Sequence, residues 1–136
     1  MFFMANEAVL IFETELPIPF TVANATGIER GAALKMTDPM TASAASLKDD
    51  IPAGFACEEK IASDGRTKLG IYRGGIFKVL ASGTITVGDA VIHTTGTNDF
   101  ETAGVNAENI WGIALETAAD NETFLMELKP RSNNLA

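Results

Sequence analysis

A chain of 136 residues, 46% of them apolar, is long enough for one domain with its own core and too hydrophobic to stay disordered. Its 18 acids against 10 Lys and Arg leave a formal charge of −8, which works against the cationic contacts of nucleic-acid binding and against anionic lipid. A single cysteine, Cys57, excludes an intrachain disulfide and fits synthesis in a reducing cytoplasm.

The first stretch, "MFFMANEAVLIF", is apolar but lacks the basic start and small-residue cleavage site of a signal peptide. Asn6, Glu7 and Glu13 interrupt it well short of the roughly 20 apolar residues a membrane span needs. Residues 1–29 contain no Lys or Arg. "AVLIFETEL" (8–16) is made of strand formers, and "ELPIPFTVAN" (15–24) carries prolines at 17 and 19. Proline fixes φ and cannot donate to a ladder, so residues 16–20 are expected to run extended, near polyproline II, and to avoid central-strand positions. Two readings follow. The segment is the domain's first strand packed on its own core, or it is an arm laid on a neighbouring subunit or another protein's sheet edge. The arm is favoured, because an exposed "VLIF" without a partner is an aggregation hazard. Twenty extended residues would reach about 70 Å.

Beyond the arm, short runs of β-branched and aromatic residues alternate with turn residues, the pattern of an all-β domain. "RGAALKM" (30–36) is a Gly turn followed by a strand, and "TASAASLKDD" (41–50) reads as weakly helical. "KLGIYRGGIFKVLAS" (68–82) alternates Leu69/Ile71 and then Phe77/Val79 across Gly74-Gly75, which suggests two strands with a kink between them. "TVGDAVIHTT" (86–95) sets a Gly-Asp turn before a strand, and "NAEN" (106–109) suits a single helical turn. "FLMELK" (124–129) points Phe124, Met126 and Leu128 inward.

The chain also echoes itself. "RGAALKM" matches "VGDAVIH" (87–93), and "IPAGFACEE" (51–59) matches "NIWGIALET" (109–117) with Gly54 and Gly112 in register. "SDGRTKLGI" (63–71) matches "ADNETFLME" (119–127) through Thr67 and Thr123. The expected architecture is a small all-β barrel or sandwich built from two similar β-units, with an extended N-terminal arm and at most one or two short helices. The arm is assigned to residues 1–26, the body to 27–130 and a tail to 131–136.

Candidate chemistry is sparse. The acids Glu116, Asp120 and Glu122 have no nearby base in sequence to tune them as a catalytic pair, and Asp64-Gly65 and Asp120-Asn121 suit hairpin turns, so the acids read as wet tips. The one histidine, His93, and Cys57 fall on different strand types and make an improbable nucleophilic pair. One His and one Cys far apart do not build a transition-metal site, and Asp49, Asp50, Glu58 and Glu59 lack the spacing of a calcium loop. "GIYRGG" lacks the Lys-Ser/Thr of a phosphate loop. No catalytic residue, metal or cofactor is expected. Trp111 reads as core or subunit interface. A rival reading is a small-ligand or carbohydrate-binding domain that uses Trp111, Tyr72 or Phe100 for stacking.

The order "GIERGAALKM", "IPAGFACEE", "GIYRGGIFKV", "TITVGDAVIH", "IWGIALETA" and "FLMELKP" resembles the tailed-phage capsid decoration or cement proteins. It does so through Gly31, Gly54-Phe55-Ala56, Gly75 to Val79, Gly88 to Val91 and Gly112 to Leu128, over about residues 27–129. The arm lies outside the match. The resemblance implies a β-barrel-like body on the outer surface of a phage capsid, a homotrimer, and the phage major capsid protein as partner, with no nucleic acid and no membrane. On that reading the contact residues are Val9, Leu10, Ile11, Phe12, Leu16, Pro17, Ile18, Pro19, Phe20 and Trp111.

Overall fold

The computed structural model describes residues 7–46, 50–94, 98–104 and 109–132, which form eleven strands and no helix. In chain order the strands are β1 (Val9–Phe12), β2 (Ile18–Thr21), β3 (Ala33–Asp38), β4 (Thr41–Ala44), β5 (Pro52–Ala56), β6 (Lys68–Tyr72), β7 (Gly75–Ala81), β8 (Ala90–His93), β9 (Asp99–Thr102), β10 (Asn109–Ala114) and β11 (Thr123–Ser132). Alternation is strict where the sequence shows it. Phe77, Val79 and Ala81 are buried while Lys78 is exposed, and Phe124, Met126 and Leu128 are buried.

The two expected units are present, and each closes on itself. Barrel one runs β2-β4-β3-β5-β6, and barrel two runs β7-β11-β10-β8-β9 back to β7. The closing contact is parallel in both: Thr21 against Thr41, and Leu80-Ala81 against Asp99-Phe100. Closure pairs the outer strands and leaves only short lengths of free edge, which suits a chain this rich in short strands.

The equivalence extends to single hydrogen bonds. Gly31 N–H donates to Ala56 O (2.9 Å) and Gly88 N–H to Ala114 O (2.8 Å). Ile28 bridges Lys60 as Ile85 bridges Ala118. Gly54 and Gly112 stand in matching places, because a Cβ on Gly54 would overlap the Tyr72 carbonyl oxygen and one on Gly112 the Glu127 carbonyl oxygen. The last segment of the echo slips by one residue. Ile71 faces Ala56 and Met126 faces Ala114, so Ile71, not Gly70, is the counterpart of Met126.

Phe20, Val22, Leu34, Leu69 and Ile71 fill barrel one. The larger core belongs to barrel two but takes in Phe55 and Ala33 from barrel one. All five residues of β5 are buried, since that strand is covered by both cores. Phe55 lies 4.7 Å from Phe77, 5.7 Å from Phe100 and 6.0 Å from Trp111, ring centre to ring centre.

One local expectation is corrected. Thr41–Ala44, read as weakly helical, is a strand, because pairing with β3 overrides alanine's helical preference. Residues 47–49 of that stretch, and 106–108 of the suggested single turn, lie outside the described residues, while Asn109 opens β10. Part of the segment read as an arm also pairs within barrel one. Ile18–Thr21 is a strand of barrel one, paired with β6 from Ile18↔Ile71 to Thr21↔Lys68, and Phe20 is buried in its core. The prolines allow this through their parity. Thr21 N–H donates toward β4, to Met40 O (2.7 Å), and Val22 N–H toward β6, to Thr67 O (3.0 Å). Backbone groups alternate sides along a strand, so Pro17 and Pro19 turn their missing N–H away from β6.

Candidate functional site

Residues 9–21 run antiparallel along most of β6 and the first half of β7. Val9 faces Lys78 and Phe12 faces Ile76 in barrel two; Ile18 faces Ile71 and Thr21 faces Lys68 in barrel one. This strap therefore crosses from one barrel to the other. Between its two strands it is held by side chains: Tyr72 O–H donates to Glu13 Oε2 (3.0 Å), Glu15 packs over Gly74, and Pro17 packs over Gly70 beside Cys57. At its start Ala8 N–H donates to Gly31 O (3.1 Å), and Glu7 meets Arg30 at 3.5 Å. A shallow cavity of about 270 Å³ lies under this start, bounded by Arg30, Cys57, Tyr72 and Phe77.

The outer face of the strap is apolar toward its two ends, on either side of the exposed Glu13, Thr14 and Glu15. Phe12 is 63% and Leu16 75% exposed, and Val9, Ile11, Ile18 and Pro19 are exposed too. Leu10 and Pro17 are half-buried. Of the ten residues named as contacts from the sequence, two turn inward: Phe20 into barrel one, and Trp111 into barrel two against Phe55, Phe100 and His93. Trp111 is fully buried because a ring of that size in a strand facing a closed barrel is its main filling. Phe100 is equally enclosed and Tyr72 half-buried, which leaves the suggested sugar-stacking residues without an open ring face gathered in one place.

Cys57 and His93 belong to different barrels. Cys57 follows β5, and His93 ends β8 inside the aromatic core. Among the described residues, no group of three or more His, Cys, Asp and Glu is placed to hold a metal ion. The acids of barrel two act on backbone. Glu116 accepts the N–H of Leu125 (3.0 Å), Asp120 that of Gly83 (2.7 Å) and Glu122 that of Ala119 (2.8 Å). They cap turns, a role that residue type hints at and only the fold reveals. Lys60 escaped the sequence reading altogether. Its buried ammonium donates to the carbonyls of Asn24 (2.7 Å), Thr26 (2.8 Å) and Ile61 (3.3 Å) and lies 3.6 Å from the Asp64 carboxylate. Such full satisfaction is what makes a buried charge tolerable.

Two groups under the strap give a pH signature. Burial pushes the Cys57 thiol up, with the nearby Glu58 charge adding to it; burial and then the hydrogen bond to Glu13 push the Tyr72 phenol up. Both hold their protons more tightly folded than unfolded. Between the unfolded and folded values the folded chain binds more protons, so stability falls as pH rises. We expect a plateau through neutral pH and a decline from about pH 8.5, where an unfolded thiol ionises. Urea titrations at a series of alkaline pH values should show the decline flattened by Cys57→Ser with Tyr72→Phe. An unchanged slope in the double variant would refute this assignment.

The fold has a solved counterpart. The N base of the head fiber gp8.5 of bacteriophage phi29 superposes with a TM-score of 0.56 at 20% identity, covering 88% of this chain and 98% of that one. No curated protein matches the sequence. The sequence profile of the phage cement proteins matches residues 12–129, which takes in the second half of the strap and both barrels. With a match over most of its length, the chain belongs to the phage cement protein family and is a structural protein of a phage head.

Proposed function

We propose that this protein binds the outside of an icosahedral phage head and stabilises the contacts between neighbouring major capsid proteins, acting as a homotrimer. The observation that carries the proposal is the strap. Val9, Ile11, Phe12, Leu16 and Ile18 present apolar surface to solvent from a segment held at one end by barrel two and at the other by barrel one. A soluble chain retains such a row where another surface covers it. Because the row is fixed on two closed barrels, little conformational freedom remains to be lost on binding, and burial contributes about 25 cal/mol per Å² of apolar surface before that loss. Three copies bound together around a symmetry axis multiply the effect through effective concentration.

The test uses heads assembled without the protein. The full chain is expected to cosediment with them to saturation, and decorated heads should survive a heat challenge that opens bare ones. Sedimentation of the free protein should report three chains per particle. Equal heat resistance of decorated and bare heads would end the stabilising role, and a monomer both free and bound would end the trimer.

A further inference from the structure

The two barrels carry the same turn, and among the described residues only one of the two is covered. At Gly31 (φ +80°) the chain's own Glu7-Ala8 lies so close that a Cβ would overlap Ala8 O and the Glu7 side chain. Ala8 N–H donates to Gly31 O (3.1 Å), Glu7 pairs with Arg30, and Cys57 lies beside them. Barrel two repeats this construction at Gly88 (φ +92°). Asp89 N–H donates to Thr86 O (3.0 Å) as Ala32 N–H donates to Glu29 O (3.1 Å), and Ala114 N–H donates to Asp89 O as Ala56 N–H donates to Ala32 O. Yet among the described residues nothing comes within 4 Å of a Cβ built on Gly88.

The substitutions around the open turn are directional. Where Arg30 and Cys57 flank the covered turn, Val87 and Leu115 flank the open one, 58% and 38% exposed. Barrel one neutralises its own acids there, Glu58 with Arg66 and Asp64 with Lys60. In barrel two Ala118 stands in the place of Lys60. Glu116, Asp89, Asp120 and Glu122 have no ion-pair partner among the described residues. The open turn thus presents exposed apolar side chains next to the unpaired acids Asp89 and Glu116, in a chain already at −8. The two barrels also differ along their equivalent first strands, β7 and β2. From Gly31 the strap continues as β1 along β7, but the corresponding edge of β2 carries Pro17 and Pro19, whose missing N–H groups face outward.

We propose that the Gly88 turn is a docking cradle for a short extended segment of the capsid shell protein, with a small residue over Gly88, an aliphatic side chain between Val87 and Leu115, and a Lys or Arg facing Glu116. The proposal rests on the head-binding reading above and assigns it a second contact, separate from the strap. A second copy of this chain is the poorer occupant. Its Glu7-Ala8 already covers its own Gly31, and would set a carboxylate against Val87 and near Glu116.

The experiment compares the full chain with Leu115→Lys and Glu116→Gln in cosedimentation with heads assembled without the protein, and places a photo-crosslinking side chain at Val87. Glu116→Gln keeps an oxygen for the Leu125 N–H, so it removes charge without removing the turn cap. Each variant is expected to weaken binding by about tenfold, with a shallower salt dependence for Glu116→Gln, while Thr37→Lys on exposed barrel-one surface binds as the parent does. The crosslink should join an extended, basic-apolar segment of the shell protein. If the parent binds heads and both cradle variants bind equally well, the cradle is overturned and head binding stands. A crosslink to another copy of this chain likewise overturns the shell-protein occupant. If the parent itself fails to bind heads, the head-binding reading falls and the cradle falls with it.

Discussion

Replacing Phe55 with Ala is expected to uncouple the two barrels as well as weaken them. Phe55 belongs to a barrel-one strand, yet its ring sits in the barrel-two core against Phe77, Phe100 and Trp111. Removing a buried phenylalanine costs about 3–5 kcal/mol, a large share of the 5–15 kcal/mol typical of a domain. The lost ring contacts fall across the seam between the barrels, so the chain should unfold over a broader range and with a smaller denaturant slope. The single tryptophan reports the effect directly. In native buffer, acrylamide should quench Trp111 more readily in Phe55→Ala than in the parent. Phe20→Ala is the control, because it deletes the same atoms from the interior of barrel one and leaves the seam intact. Equal protection of Trp111 in both variants would show that Phe55 does not couple the barrels.

What was legible in the sequence was whatever a strand or turn imposes locally. Phe124, Met126 and Leu128 had to face one way, and Gly54 and Gly112 had to recur, although their reason, the close approach of the Tyr72 and Glu127 carbonyls, comes from strands distant in sequence. Closure was not legible. A sandwich and a pair of barrels share the same alternation, and the difference lies in parallel contacts such as Thr21 with Thr41 that leave no mark in composition. Proline misled for a related reason. Pro17 and Pro19 exclude a residue from a ladder only on the side its N–H would face, and which side that is depends on pairing. Trp111 shows the same limit at the candidate site, since its size demands burial without saying whether its own chain or another supplies the partner. The cradle at Gly88 became visible only when two halves that look alike in sequence were found to be covered unequally.

The strap divides in its consequences at about residue 13. A chain beginning at Glu13 loses β1 and the Ala8 contact with Gly31, but keeps every strand of both barrels. Among the described residues it gives up, Val9, Ile11 and Phe12 face solvent, Glu7 and Leu10 are half-buried and Ala8 is buried. That loss is worth about 1–3 kcal/mol, and the truncated chain should remain folded, with Trp111 still protected. A chain beginning at Ala23 is a different matter. It loses β2, the strand that joins β4 to β6, together with the buried Phe20 and Val22. Phe20 alone accounts for about 3–5 kcal/mol, and an opened barrel also leaves the inner amides of β6 without partners. Barrel one should then melt, exposing the side of Phe55 that it covers and dragging barrel two toward partial unfolding. Hydrogen exchange separates the two cases: protection of β3 to β6 amides is retained in the first and lost in the second. The shorter truncation is therefore the one that tests the strap's contact role, because it removes Val9, Ile11 and Phe12 while sparing the fold. If it binds heads as the full chain does, contact by β1 is excluded and Leu16 and Ile18 remain as the strap's apolar surface. If the longer truncation keeps barrel-one protection, the pairing of β2 with β6 is not what closes that barrel.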